Sequence, residues 1–295
     1  MNKPFNIIGV GEVLWDIFPD GSRFGGAPAN VACAISGLSR KTAKVTMVSA
    51  VGKDILGIKA IDSLAQFNVD VSQIQSTTFP TGTVTVNLNE SLHATYQIAE
   101  NSAWDNISWN DSLDTLALSA DAICFGSLAQ RTQCSRETIQ TLVAALPDSA
   151  LKVFDVNLRA PFYSNEIIIQ SLELANVLKL NEEELPIIAD ILGISGETNE
   201  LLQSITKQFK LNSIALTQGS KGAVLIHNQE QVEVPIVPTT VVDTVGAGDS
   251  FTAAFTLGLL QQNSLIEIAH FATKVASYVC SQQGGTPQLT HLTQP

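Results

Sequence analysis

Residues 243–255 constrain this chain more than any other stretch. They read Asp243-Thr244-Val245-Gly246-Ala247-Gly248-Asp249, then Ser250-Phe251-Thr252-Ala253-Ala254-Phe255. Two glycines let the backbone turn tightly and approach another group closely. An apolar run with helical spacing begins directly after them. A glycine turn opening into a helix aims backbone N–H groups and the positive end of the helix dipole at one point, which makes an anion site. Asp249 falls in the first turn of that helix. It reads either as a helix cap, for which Asp is favoured, or as a general base. As a base it would take a proton from a nucleophile attacking a bound phosphate while the amides hold the developing charge. The six fixed positions of Asp-Thr-x-Gly-Ala-Gly-Asp arise by chance in a chain this long with a probability of roughly 10⁻⁵ to 10⁻⁴.

A second glycine turn runs into small residues at Phe24-Gly25-Gly26-Ala27-Pro28-Ala29-Asn30-Val31-Ala32-Cys33-Ala34. Pro28 suits a first helical turn and Gly37 marks an end. Taken alone, the segment reads as close packing at a helix start.

The 295 residues are 45% hydrophobic and 15% charged, the composition of a globular chain with ample core. A net charge of −12 argues against nucleic acid or an anionic membrane as the main partner. Cys33, Cys124, Cys134 and Cys280 lack paired or metal-ligand spacing and read as free thiols of a cytoplasmic protein. Lys3-Pro4 leads straight into a strand-like run, so no signal peptide is expected. No apolar run reaches membrane-spanning length. His93, His227, His270 and His291 form no ligand pattern.

Residues 5–10 read as a buried strand ending in Gly9-Val10-Gly11-Glu12. No third glycine follows, so this is not a dinucleotide fingerprint. Residues 13–18 continue as a strand up to a Pro19-Asp20-Gly21 turn. Within them Asp16 lies among apolar neighbours, where a lone carboxylate needs a partner. Residues 45–51 read as another buried strand. Asp54 then caps a helix whose apolar positions are Ile55, Ile58, Ile61, Leu64 and Ala65. Residues 81–88 and 94–98 alternate with period two around a turn at 89–91, a β-hairpin outside the main pattern. Trp104 reads as core or as an aromatic against a ligand.

From residue 121 strands and helices alternate, with strands at 122–126, 152–156, 177–180 and 214–217. That is a parallel sheet with flanking helices, whose ligands gather at the carboxyl ends of the strands. Asp155-Val156-Asn157-Leu158-Arg159 ends one strand, and an Arg there suits sugar or phosphate oxygens. Asn181-Glu182-Glu183-Glu184 ends the next and by itself is an acidic helix start. Thr217-Gln218-Gly219-Ser220-Lys221-Gly222 turns between two strands. Ile268, Phe271, Ala272, Val275 and Val279 fit an amphipathic helix.

Both glycine segments, in this order and about 220 residues apart, resemble the two signatures of the ribokinase-like (pfkB) carbohydrate kinases. The resemblance spans nearly the whole chain. It implies a single three-layer α/β/α domain over residues 1–295 with a mostly parallel sheet. It also implies a small β-sheet lid from strands inserted at about 12–24 and 80–100, which would exclude water from the reaction. By the same resemblance Asp249 is the catalytic base, and the Gly246, Ala247 and Gly248 amides form the anion hole. Asp16, Gly26, Asn30 and Arg159 contact the sugar. Asn181, Thr217, Gly219, Gly222 and Gly248 contact the nucleotide, and Glu184 orders Mg²⁺ through water. Many relatives also hold a monovalent cation such as K⁺ beside the anion-hole loop, to which Asp243 and Val245 would contribute. The family's adenine-lining helix often carries Asn where this chain has Thr273, a departure that leaves that side chain without an assigned role.

The implied reaction is transfer of the ATP γ-phosphoryl group to a hydroxyl of a free sugar. The Gly-Gly-Ala-Pro-Ala-Asn segment, Pro80-Thr81-Gly82-Thr83-Val84, Ala103-Trp104-Asp105 and Asp155-x-Asn157-Leu158-Arg159 look most like bacterial fructokinases. Ketodeoxygluconate kinase is the alternative, because it shares the Asp-x-Asn-x-Arg segment. A sugar phosphate would call for more cations than Arg23, Arg131 and Arg159 offer. A non-catalytic sugar-binding regulator would have lost Asp249 or the Gly-x-Gly turn, and neither is lost. Open-edged lid strands lead to the expectation of a homodimer through the lid.

Overall fold

The computed structural model describes residues 3–88 and 94–292; the expected turn at 89–91 and His93 lie outside the described residues. Among the described residues the strands are β1 (Phe5–Val10), β2 (Leu14–Phe18), β3 (Gly21–Gly25), β4 (Ala43–Gly52), β5 (Asp70–Thr77), β6 (Gly82–Leu88), β7 (Ala94–Ile98), β8 (Ala122–Gly126), β9 (Leu151–Asp155), β10 (Val177–Asn181), β11 (Ser213–Thr217), β12 (Ala223–His227) and β13 (Glu230–Val234). The α-helices are α1 (Ala27–Ser39), α2 (Ile55–Gln66), α3 (Asp111–Leu118), α4 (Gln133–Ala145), α5 (Asn165–Leu174), α6 (Glu184–Leu192), α7 (Thr198–Phe209), α8 (Ala247–Leu260) and α9 (Leu265–Cys280).

Nine strands form one sheet in the order β13-β12-β11-β10-β9-β8-β1-β4-β5. The strands from β11 to β5 run parallel, and β12 and β13 complete the edge antiparallel. Parallel strands covered on both faces read as near-continuous apolar runs, because successive side chains feed opposite layers. In β1, Ile7 enters the core beneath α1, α8 and α9, while Ile8 and Val10 enter the core beneath α3 to α7. This is the parallel sheet with flanking helices that the alternation implied, in the three layers that the resemblance implied.

The small sheet has the order β3-β2-β6-β7. Two antiparallel hairpins, β2–β3 and β6–β7, join along a parallel β2–β6 seam. Asp54 fixes this sheet to the main body. It caps α2 through the Gly57 amide at 2.8 Å and accepts from the Thr81 hydroxyl at 2.7 Å at the entrance to β6.

Two expectations need correcting. Helix α2 is present, but Ile55 and Ile58 are exposed, and the face it buries is Gly57, Ala60 and Leu64. Gly57 lies against the Gly52 carbonyl, a close approach that rotates the inward face away from the isoleucines. Strand β5 (DVSQIQST) was not anticipated, because a polar edge strand lacks the apolar run of a central one.

Candidate active site

Helices α1 and α8 both begin at glycines in conformations that side chains avoid, Gly26 at φ 110° and Gly246 at φ 77°. A Cβ on Gly26 would strike the Glu12 carbonyl, and one on Gly246 would strike Gly285. Neither helix start has a side-chain cap across its own first turn. In α8 this leaves the first-turn amides without a capping side chain, and the Ala247 amide reaches the Thr244 carbonyl at 3.3 Å. The two helices pack side by side. As a result the Asn30 amide donates to Asp249 Oδ2 at 2.7 Å, joining the two glycine segments across 219 residues.

Asp249 is half-buried at the third position of α8. Burial, reinforced by the nearby charge of Asp155, pushes its carboxyl up to about 6; the Asn30 hydrogen bond and the cations Lys179 and Arg159 act against the rise. That places a carboxylate near the range useful to a general base at neutral pH. Asp16 lies on β2 opposite Arg23, and burial raises it to about 6 against the opposing charges of Arg159 and Arg23. Arg159 is exposed and acts electrostatically on Asp16, Asp249 and Glu12 together.

Four further residues belong to this centre that the sequence reading gave no role. Glu12, 3% exposed, follows β1 and accepts from the Ala27 amide at 3.3 Å, while its other oxygen has no partner. Burial pushes its carboxyl up to about 7. The Asn30 carbonyl oxygen is likewise buried without a donor. Asp155 at the end of β9 pairs with Lys179 of β10 at 3.0 Å, with both side chains buried. Its second oxygen accepts from the Thr252 hydroxyl of α8 at 2.7 Å. A lysine inside an otherwise apolar buried strand is the signal that would have pointed to this pair, since a charge there requires a partner.

The expected nucleotide-side residues follow along the next strand ends. Asn181 Oδ1 accepts from the Glu183 and Glu184 amides at 2.9 Å each, opening α6. Glu184 is buried and both of its oxygens accept amides, Leu158 and Asn181, each at 2.9 Å. Burial raises its carboxyl, with Lys179 opposing. Thr217 ends β11, and Gly219 faces nearly open space beside Glu182. The close approach that Gly222 permits is to the Val234 carbonyl of β13, a contact inside the chain. Asp243 accepts from the Val245 and Gly284 amides at 3.0 Å each, tying the loop before α8 to the segment after α9. The Thr273 hydroxyl donates within its own helix, to the Ala269 carbonyl at 2.8 Å.

Other candidates fall away from the site. Trp104 is fully buried beneath the Arg131 guanidinium, so its core reading holds. Arg131 is held by Asp105 through Nε and Nη2, at 2.7 Å each, and is not a free cation. Arg23 is shared between Asp20 and the face of Phe18. The cysteines are free. No helix among the described residues is long and apolar enough to cross a membrane.

The profile of the pfkB family carbohydrate kinases matches residues 20–291. The chain belongs to this family. As a pfkB kinase it is 31% identical to an uncharacterized sugar kinase of Pyrococcus horikoshii, over 99% of this chain and 96% of that protein. The ATP complex of that kinase superposes with a TM-score of 0.81, covering 96% of this chain and 95% of the other. A Salmonella typhimurium fructokinase is 27% identical over 85% of this chain and 83% of its own. A double mutant of the Vibrio cholerae fructokinase, solved with fructose, ADP and potassium ion, is 25% identical with a TM-score of 0.81, covering 98% and 96% of the two chains. This protein is therefore a sugar kinase of the pfkB family.

Proposed function

We propose that this kinase transfers the γ-phosphoryl group of Mg²⁺-ATP to D-fructose, giving fructose 6-phosphate, with Asp249 as the base. The observation that carries the reading is the Asn30–Asp249 hydrogen bond of 2.7 Å at the uncapped start of α8. It supports a base role for Asp249, whose proton affinity is raised by burial, at a helix start without a side-chain cap. Asp249 takes the proton of the attacking hydroxyl, and the amides of Gly248 and its neighbours hold the equatorial oxygens. Positioning and electrostatic stabilisation are what phosphoryl transfer chiefly requires. Bound Mg²⁺ neutralises phosphate charge. Glu184, whose oxygens are already engaged by amides, suits an outer contact to it through water. Asn181, Thr217 and Gly219 lie on the nucleotide side. A K⁺ ion beside this loop would draw on Asp243, whose two oxygens each accept one amide, and on Val245.

Charge favours a neutral sugar. Glu12, Asp16 and Asp249 all feel Arg159, with Arg23 engaged by Asp20 and Lys179 paired with Asp155, and unpartnered acceptors on Glu12 and Asn30 suit hydroxyl donors. Relatives named fructokinase point the same way. Ketodeoxygluconate is the second reading, on the strength of Arg159. Nuclear magnetic resonance of the product formed from fructose and Mg²⁺-ATP tests the proposal. A 6-phosphate supports it, whereas a 1-phosphate or no product contradicts it.

A further inference from the structure

Lys179 and Asp155 are adjacent partners in the parallel β9–β10 register, both removed from water and 3.0 Å apart. Such a pair is a poor investment in stability, because desolvating two charges roughly cancels their attraction. Its surroundings are specific. A Cβ placed on Gly248 would come within 3.0 Å of the Lys179 ammonium, so glycine there leaves room for a cation directly behind the first turn of α8. The hydroxyl of Thr252 lies 2.7 Å from Asp155 Oδ2 and 3.0 Å from the Gly248 carbonyl, linking the pair to the same turn.

We propose that Lys179, held by Asp155, which Thr252 in turn fixes, is a positioning residue for phosphoryl transfer, a fixed positive charge beneath the Gly248–Asp249 turn that strengthens the anion hole and keeps Asp249 ionised. The proposal rests on the kinase reading above. Fixed charge aimed at a developing anion acts strongly where water is excluded, and it needs no reorganisation during reaction. The groups facing Asp249 come from four directions: Asn30 on α1, Glu12 after β1, Asp155 and Arg159 at and beyond the end of β9, and Lys179 on β10. Glu184 at the start of α6 faces Lys179 from the other side. Among them Asp155 raises the proton affinity of Asp249 and Lys179 lowers it. The two members of one ion pair therefore act on Asp249 with opposite sign.

That opposition separates an electrostatic role from a structural one. The test compares wild type, Lys179→Met, Asp155→Asn and the double variant Lys179→Met/Asp155→Leu. The pH dependence of kcat/KM for fructose is measured in each. The Asp249 carboxyl is titrated by ¹³C resonance, assigned by its absence in Asp249→Asn. The acid limb and the titration midpoint are expected to move to higher pH in Lys179→Met and to lower pH in Asp155→Asn. The apolar double variant, which avoids a stranded buried charge and so secures folding, is expected to return the midpoint close to wild type. Its kcat should remain at least about tenfold low, because the anion hole has lost its cation. Midpoints that move together, or by less than about half a pH unit, overturn the proposal. So does a double variant with wild-type kcat. If wild type turns over no sugar, the kinase reading fails instead, and the carboxyl titration still decides the charge assignment by the same criterion.

Discussion

Asn30 and Asp249 are joined by a 2.7 Å hydrogen bond in which the amide nitrogen donates to the carboxylate. The bond makes the start of α1 and the start of α8 a single centre. The Asn30 donor favours the ionised form of Asp249, so Asn30→Ala should shift the acid limb of kcat/KM upward as well as lower its plateau. A pH series on this variant checks the direction. A fall in rate with no movement of the limb would leave Asn30 as a sugar contact alone.

Asp16→Ala should raise KM for the sugar far more than KM for ATP, since Asp16 lies on the small sheet beside Gly25 and away from the strand ends that carry Asn181 and Thr217. Initial rates with each substrate varied in turn measure this. Equal changes in both constants would remove Asp16 from the sugar side.

Stability should fall as pH rises from about 4 to about 7. Glu12, Asp16 and Asp249 all bind protons more tightly when folded, at about 7, 6 and 6. In that window the native state therefore holds more protons than the unfolded chain, and raising the pH disfavours it. Their contribution is complete below the unfolded carboxylate range and is lost as pH passes through the folded values. Urea midpoints across this range should decline in wild type and decline less in Glu12→Gln. An unchanged slope in Glu12→Gln would mean its carboxyl titrates normally.

Arg131→Met should destabilise the fold by about 3 to 5 kcal/mol, because it leaves Asp105 buried and uncompensated. The guanidinium is also sandwiched between Trp104 and Phe162, at 4.1 and 4.7 Å from their ring centres. Urea denaturation reads the loss. Near-wild-type stability would show that Asp105 is reached by water.

Much of this was legible from residue order. Glycine turns, Pro28 and the apolar strand runs are local features, and they located α1, α8 and the parallel sheet. What escaped was relational. Lys179 meets Asp155 only because β9 and β10 are neighbours in register, a fact of topology rather than of spacing. Glu12 gains its role from the Ala27 amide on the next helix. Ile55 and Ile58 kept a helical period, yet Gly57 set the buried face. Arg131, a candidate cation by sequence, is taken up by Asp105.

The expected pairing through the small sheet remains a prediction about mass. Phe79 and Tyr96 are exposed on and beside it, and β3 and β7 are its open edges. Light scattering should give twice the 31.5 kDa of one chain; a single-chain mass would contradict it.

The most direct test of the central claim is ADP release with Mg²⁺-ATP across fructose, ketodeoxygluconate, ribose, glucose, adenosine and fructose 6-phosphate, in wild type and in Asp249→Asn. A clear preference for fructose is expected, with kcat at least about a hundredfold lower in a folded Asp249→Asn. Turnover that survives Asp249→Asn, or none with any sugar, would contradict it.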